Sequence, residues 1–234
     1  MIGTSPIRPG HSGSSEHDHS VFERLAGTLR AMTRVLLVRH APTPETGKKL
    51  TGRLPGVSLD DKGLVLARAT ADRLNGVRLA AVYSSPIERT WETAIELGRP
   101  HRLDPIAEVG LLEVDYGAWS GRTLASLVKL KAWRTVQQTP SRMIFPNGES
   151  LADAQRRAVA TVERLGTAHR NKTIALVTHA DIIKAVLSHF LGQPLDLFQR
   201  IGAAPASVSV IDLPDQGHPR VVAVNTNGDP EKWN

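Results

Sequence analysis

Val35-Leu36-Leu37-Val38-Arg39-His40 decides how the chain is read. Four apolar residues run straight into an arginine and a histidine, and Ala41-Pro42-Thr43-Pro44 then blocks any continuation. A short unbroken apolar run between breakers is the pattern of a strand buried on both faces. In open α/β sheets, ligands sit beyond the carboxyl ends of such strands. Arg39 and His40 are therefore expected at the mouth of a sheet.

The pattern recurs. Thr173-Ile174-Ala175-Leu176-Val177-Thr178 ends in His179, and Ala80-Ala81-Val82-Tyr83-Ser84-Ser85 leads to Pro86 and Arg89. Three strands that end on cation-capable side chains predict one shared pocket.

The rest of the chain fits an α/β domain. The 234 residues suffice for one sizeable core, 41% of them are hydrophobic, and no apolar run approaches a membrane span. Residues 1 to 20 are rich in Ser, Gly, Pro and His, including His11, His17 and His19, and carry too few apolar groups to order themselves. Val21, Phe22, Leu25, Leu29 and Met32 fall at helical spacing. We expect a flexible extension over 1–32, a domain over 33–226 and a tail over 227–234. The first 30 residues lack the apolar core of a signal peptide, which predicts a cytoplasmic location.

The absence of cysteine excludes disulfides, thiolate-bound zinc and a thiol nucleophile. The net charge of +6 favours anionic ligands. With 4% aromatic residues and no lysine cluster, it does not point to nucleic acid.

Local signals place the remaining elements. Thr43 to Leu59 reads as a long irregular loop, a type that is usually functional. Asp60-Asp61 opens a helix that Asn75-Gly76 stops. Ser85, Pro86 and Glu88 read as an N-cap, a first-turn proline and a capping box, putting Arg89 in the first helical turn. Residues 122–148 carry one short helix and a Pro-punctuated loop. A long helix covers Ser150 to His169, with Ala154, Ala158, Val162 and Leu165 on one face. Another runs from Asp181 to Leu191, ended by Gly192 and Pro194. Ser207 to Leu213 and Arg220 to Val224 read as a closing hairpin.

Val38-Arg39-His40-Ala41-Pro42-Thr43 resembles the Arg-His-Gly signature of the histidine phosphatase superfamily, the phosphoglycerate mutase-like proteins. Ser85 to Arg89 resembles its Ser-x-x-x-Arg element. Glu113, ahead of Tyr116-Gly117-Ala118-Trp119, resembles its acid-bearing turn, and His179 its second histidine. The resemblance covers roughly residues 34 to 213. It implies a three-layer sandwich with a mostly parallel central sheet flanked by helices.

The family likeness also implies a chemistry. Arg39, Arg89 and His179 would bind phosphate, with Thr51, Gly52 and Ala180 completing the substrate-binding set. Thr46 stands where the family commonly has asparagine and can offer one hydrogen bond. His40 would attack phosphorus to form a phosphohistidine, helped by cations that hold its imidazole neutral. Glu113 would protonate the leaving alkoxide, with Asp115 a weaker candidate. Trp119 reads as core packing. No cofactor and no metal are implied.

The expected activity is a metal-independent phosphomonoesterase acting on a small phosphorylated metabolite. Within the family, the rivals are a phosphoglycerate mutase and an α-ribazole phosphatase-like enzyme. The interval from Glu113 to His179 lacks a mutase-like basic run, and Phe145-Pro146-Asn147-Gly148-Glu149-Ser150 resembles the phosphatase branch. A different class is a non-catalytic basic module for nucleic acid or phosphoprotein, supported by charge alone. No membrane and no nucleic-acid partner is expected, and a monomer and a homodimer both stay open.

Overall fold

The computed structural model describes residues 32–227 and Pro230. The readings made for residues 1–31 and for most of the tail lie outside the described residues.

The apolar run forms the centre of β1 (Met32–Arg39), and Val35, Leu36, Leu37 and Val38 are fully buried. Met32 belongs to this strand, paired with Pro214, and not to the helically spaced segment before it. The chain continues through α1 (Asp61–Leu74), β2 (Leu79–Ser84), α2 (Glu88–Gly98) and the two-residue β3 (Ile106–Ala107). Then come α3 (Leu124–Leu127), α4 (Lys131–Gln138), α5 (Leu151–Ala168), β4 (Thr173–Thr178) and α6 (Ala180–Phe190). The antiparallel pair β5 (Val208–Pro214) and β6 (Arg220–Thr226) closes it, as the sequence pattern expects.

The six strands form one sheet in the order β3-β2-β4-β1-β5-β6. β3, β2, β4 and β1 run parallel, and β5 is antiparallel to β1. Successive side chains of a strand face opposite sides, so each sheet face collects alternate residues. Val35, Leu37, Ile174 and Leu176 pack with Leu151, Ala154, Ala158 and Val162 of α5 and with Ile182 and Val186 of α6. Leu36, Val38, Ala175 and Val177 pack with Ala71 and Leu74 of α1 and with Ala94 and Leu97 of α2. This is the expected three-layer sandwich.

Local expectations hold at most ends. Asp60 caps α1 by accepting from Gly63 N at 2.7 Å. Ser150 caps α5 by accepting from Asp153 N. Two expectations need correction. Residues 122–148 carry two short helices rather than one, and Thr123 caps the first through Ser126 N. The capping box at Ser85 does not form: α2 starts at Glu88, after Ile87. Tertiary partners claim both side chains instead. Ser85 Oγ meets His179 Nε2 at 3.0 Å, and Glu88 accepts from Gly56 N at 2.9 Å.

The register sets the site. β1 and β4 pair Val38 with Val177 and Arg39 with Thr178, so both strands finish level. His40 N then donates to Thr178 O at 2.9 Å, and Ser85 N to Val177 O at 3.0 Å. The ends of β1, β2 and β4 are thus tied together at one point.

Candidate active site

Eight of the nine residues named from the sequence line one cavity of about 200 Å³ at these strand ends. They are Arg39, His40, Thr46, Thr51 and Gly52 from the first strand and its loop, with Arg89, Glu113 and Ala180. The ninth, His179, is fully buried behind the wall, its ring centroid 5.4 Å from that of His40.

His40 Nδ1 lies 2.7 Å from Ala41 O. A carbonyl only accepts, so Nδ1 carries the proton and Nε2 keeps the lone pair. Burial, then the charges of Arg89 and Arg39, push the His40 pKa down to about 3. Desolvation is the larger cause, ahead of the neighbouring cations to which the sequence pointed.

Arg89 is almost wholly buried. Its Nη2 donates to Gly52 O at 2.7 Å and faces His179 Nδ1 at 3.2 Å. Arg39 Nη1 donates to Ala203 O at 2.7 Å. Arg39 Nε, Arg89 Nε and Arg89 Nη1 are buried without a partner among the described residues. Burial lowers both guanidinium pKa values from their usual range, partly opposed by Glu113. A buried cation with unmatched N–H groups is costly. Two of them side by side suit a dianion that takes bidentate hydrogen bonds. At an effective dielectric of ~20 and ~4 Å, each charge pair is worth roughly 4 kcal/mol before desolvation.

Gly52 can present its carbonyl to Arg89 because it has φ +56°, and a Cβ there would meet Ser120 Oγ and the Tyr116 ring at 3.0 Å. Thr46 Oγ1 lies 2.9 Å from Thr43 N and 3.1 Å from Thr43 Oγ1. The hydroxyl therefore shapes the loop turn while the residue lines the cavity.

Glu113 is buried, and Val114 N donates to its Oε1 at 3.0 Å. Its Oε2 is 3.9 Å from His179 Nδ1. Burial and the charge of Asp181 raise its pKa to about 7, against the pull of Arg89 and Arg39. A carboxyl held protonated near neutrality can donate a proton. Asp115 differs: its side chain is 41% exposed, lies 3.8 Å from Arg53 Nη1 and accepts from Gly117 N. It does not line the cavity.

The acid turn is braced from outside the pocket. Glu149 Oε1 accepts from Asp115 N at 2.9 Å and from Arg53 and Arg157 at 2.8 Å each. Arg53 Nε also holds Glu113 O, and Arg157 Nη1 holds Gly110 O and Leu112 O. Gly117 and Gly148 let the two turns interlock, since a Cβ on either would strike backbone of the other turn near 2 Å. Trp119 is buried against Phe145 and Trp133, as core packing predicts.

Sequence reasoning did not single out Thr43, Tyr116 and Asp181, which also line the cavity. Tyr116 Oη donates to Asp181 Oδ2 at 2.9 Å. Asp181 follows His179-Ala180 directly, and that adjacency was the available signal. Among the described residues, no group of three or more His, Asp or Glu is placed to hold a metal ion. No helix among them is long and apolar enough to cross a membrane.

Comparison with known proteins adds the following. The sequence pattern of the histidine phosphatase superfamily (branch 1) matches residues 35–227. Phosphoserine phosphatase 1 of Hydrogenobacter thermophilus is 32% identical over 190 residues, covering 79% of this chain and 89% of its own. The bifunctional protein Rv2228c of Mycobacterium tuberculosis is 30% identical over 96% of this chain, which spans 58% of that longer protein. Among solved structures, a mycobacterial glucosyl-3-phosphoglycerate phosphatase superposes with a TM-score of 0.75 at 23% identity, covering 84% of this chain and all of the other.

Proposed function

The chain belongs to the histidine phosphatase superfamily (branch 1), and from that premise we propose that it is a metal-independent phosphomonoesterase working through a phosphohistidine on a small phosphorylated metabolite. The supporting observation is the set of three buried, unpartnered guanidinium nitrogens on Arg39 and Arg89 around a neutral His40.

In this reading, Arg39 and Arg89 hold the phosphoryl oxygens. The N-terminus of α6, which begins at Ala180, adds the positive end of its dipole. The His40 Nε2 lone pair forms the N–P bond as the P–O bond to the alcohol breaks. The departing oxygen takes the Glu113 proton. Water then attacks the phosphohistidine, gives a proton back to Glu113, and inorganic phosphate leaves. His179 stays neutral and fixes Arg89.

The test is a panel of phosphomonoesters assayed for phosphate release in excess chelator. Turnover without added metal, tightly inhibited by vanadate as a mimic of five-coordinate phosphorus, supports the reading. Strict dependence on a divalent ion, or no release from any ester, overturns it.

A further inference from the structure

A second cavity, of about 290 Å³, adjoins the phosphate pocket and shares Leu50, Tyr116, Leu124 and Asp181 with it. Its wall is aromatic. Trp133, on α4, stacks on Trp119 at 6.3 Å, and Phe145 sets its edge or face against both Trp119 and Tyr116. Trp133, Leu50 and Leu124 line it and are partly exposed, so apolar surface there is available to be covered.

The charges decide what kind of molecule fits. Apart from Arg39 and Arg89, the cations lining the two cavities are Lys49 and Lys184. Lys49 is paired with Glu45 at 3.0 Å. Lys184 lies 3.4 Å from Asp181 and 3.1 Å from Gln199 Oε1. Both ammonium groups are already met by carboxylates of this chain. A substrate carboxylate would therefore compete with a protein carboxylate at either place, and Asp181 at the junction would repel it. A neutral apolar body meets no such competitor.

Resting on the phosphatase reading above, we propose that this second cavity receives the leaving alcohol. The substrates are then phosphomonoesters of neutral alcohols with an apolar or aromatic body, and not small carboxylate-bearing phosphates.

The experiment compares 2-phenylethyl phosphate with ethyl phosphate, 3-phosphoglycerate and O-phosphoserine. The expected kcat/KM for the phenylethyl ester exceeds that of ethyl phosphate at least about tenfold, or 1.4 kcal/mol, and exceeds both carboxylate-bearing esters. Faster turnover of 3-phosphoglycerate or O-phosphoserine would overturn the proposal. In Trp133→Ala, the phenylethyl-to-ethyl ratio should fall at least about fivefold and recover in Trp133→Phe. The ratio is internal to each preparation, so loss of folded protein cancels, and an unchanged ratio counts against the proposal. Calorimetric binding of 2-phenylethylphosphonate against ethylphosphonate reads the same cavity without turnover. A phenyl preference in binding with no ester hydrolysed keeps the subsite and sinks the phosphatase. Hydrolysis with no phenyl preference does the reverse.

Discussion

Arg89 Nη2 lies 3.2 Å from His179 Nδ1, and both side chains are buried. A guanidinium only donates, so His179 Nδ1 is the acceptor and Nε2–H must donate to Ser85 Oγ, 3.0 Å away. The contact fixes one neutral tautomer and points the rest of the arginine fork at the cavity. Burial and the charges of Arg89, His40 and Arg39 hold the His179 pKa well below its usual 6.5.

We expect ¹⁵N spectra at neutral pH to show His179 as the Nε2–H tautomer. Arg89→Lys should lose the fork and weaken inorganic phosphate binding ~10- to 100-fold, as read by calorimetry. A protonated Nδ1, or unchanged phosphate affinity in the variant, would refute this account of the pair.

Glu113→Gln keeps size and some hydrogen bonding but cannot give up a proton. It should lower kcat/KM for alkyl phosphates by ~10²- to 10⁴-fold and much less for p-nitrophenyl phosphate, whose leaving group needs no proton. Asp115→Asn, at the exposed carboxylate beside Arg53, should show no leaving-group dependence. An equal loss for both leaving groups in Glu113→Gln would make Glu113 a positioning residue.

The pH dependence follows from the same two groups. His40 is neutral above about 3, and Glu113 is protonated below about 7. For an alkyl phosphate, corrected for the ester's own ionisation, kcat/KM should fall as pH rises through about 7. That limb should be absent from the profile of Glu113→Gln. A limb that survives in the variant belongs to another group.

Stability should carry a histidine signature in acid. The His40 pKa is about 3 in the fold and 6.5 in the unfolded chain, so between these values the unfolded state binds the extra proton. The stability present above pH 6.5 is therefore lost as pH falls toward 3. At pH 5 the loss from this residue is about 2 kcal/mol. Denaturant melts of wild type and His40→Asn at pH 7 and pH 5 measure it, and equal pH sensitivity in both would show that His40 is not held neutral.

The parts legible in the sequence were those governed by local pattern. Unbroken apolar runs marked β1, β2 and β4, and the breakers after them placed His40, Arg89 and His179 at one end of the sheet. The starts of α1 and α5 near Asp60 and Ser150 were legible from local pattern, and each of these residues caps its helix. Failures came where distant residues compete for a side chain. Ser85 reads as a cap until His179, just past the end of a neighbouring strand, takes its hydroxyl. Glu149 reads as part of a loop motif until Arg53 and Arg157 converge on it. Tyr116 and Asp181 meet across more than sixty residues of chain, which no spacing rule anticipates.

The placement of β1 between β4 and β5 sets an order of events during synthesis. β1, which His40 directly follows, emerges before both of its hydrogen-bonded neighbours, at residues 173–178 and 208–214. Contacts that distant delay productive folding, because a long loop must close before any pairing rewards it. A ribosome-bound chain stalled before β4 would carry His40 just beyond an unpaired apolar strand, exposed to aggregation and to chaperones. Onset of phosphate release along a series of stalled chains would thus time the seating of β1 between β4 and β5, with catalysis itself as the reporter of folding.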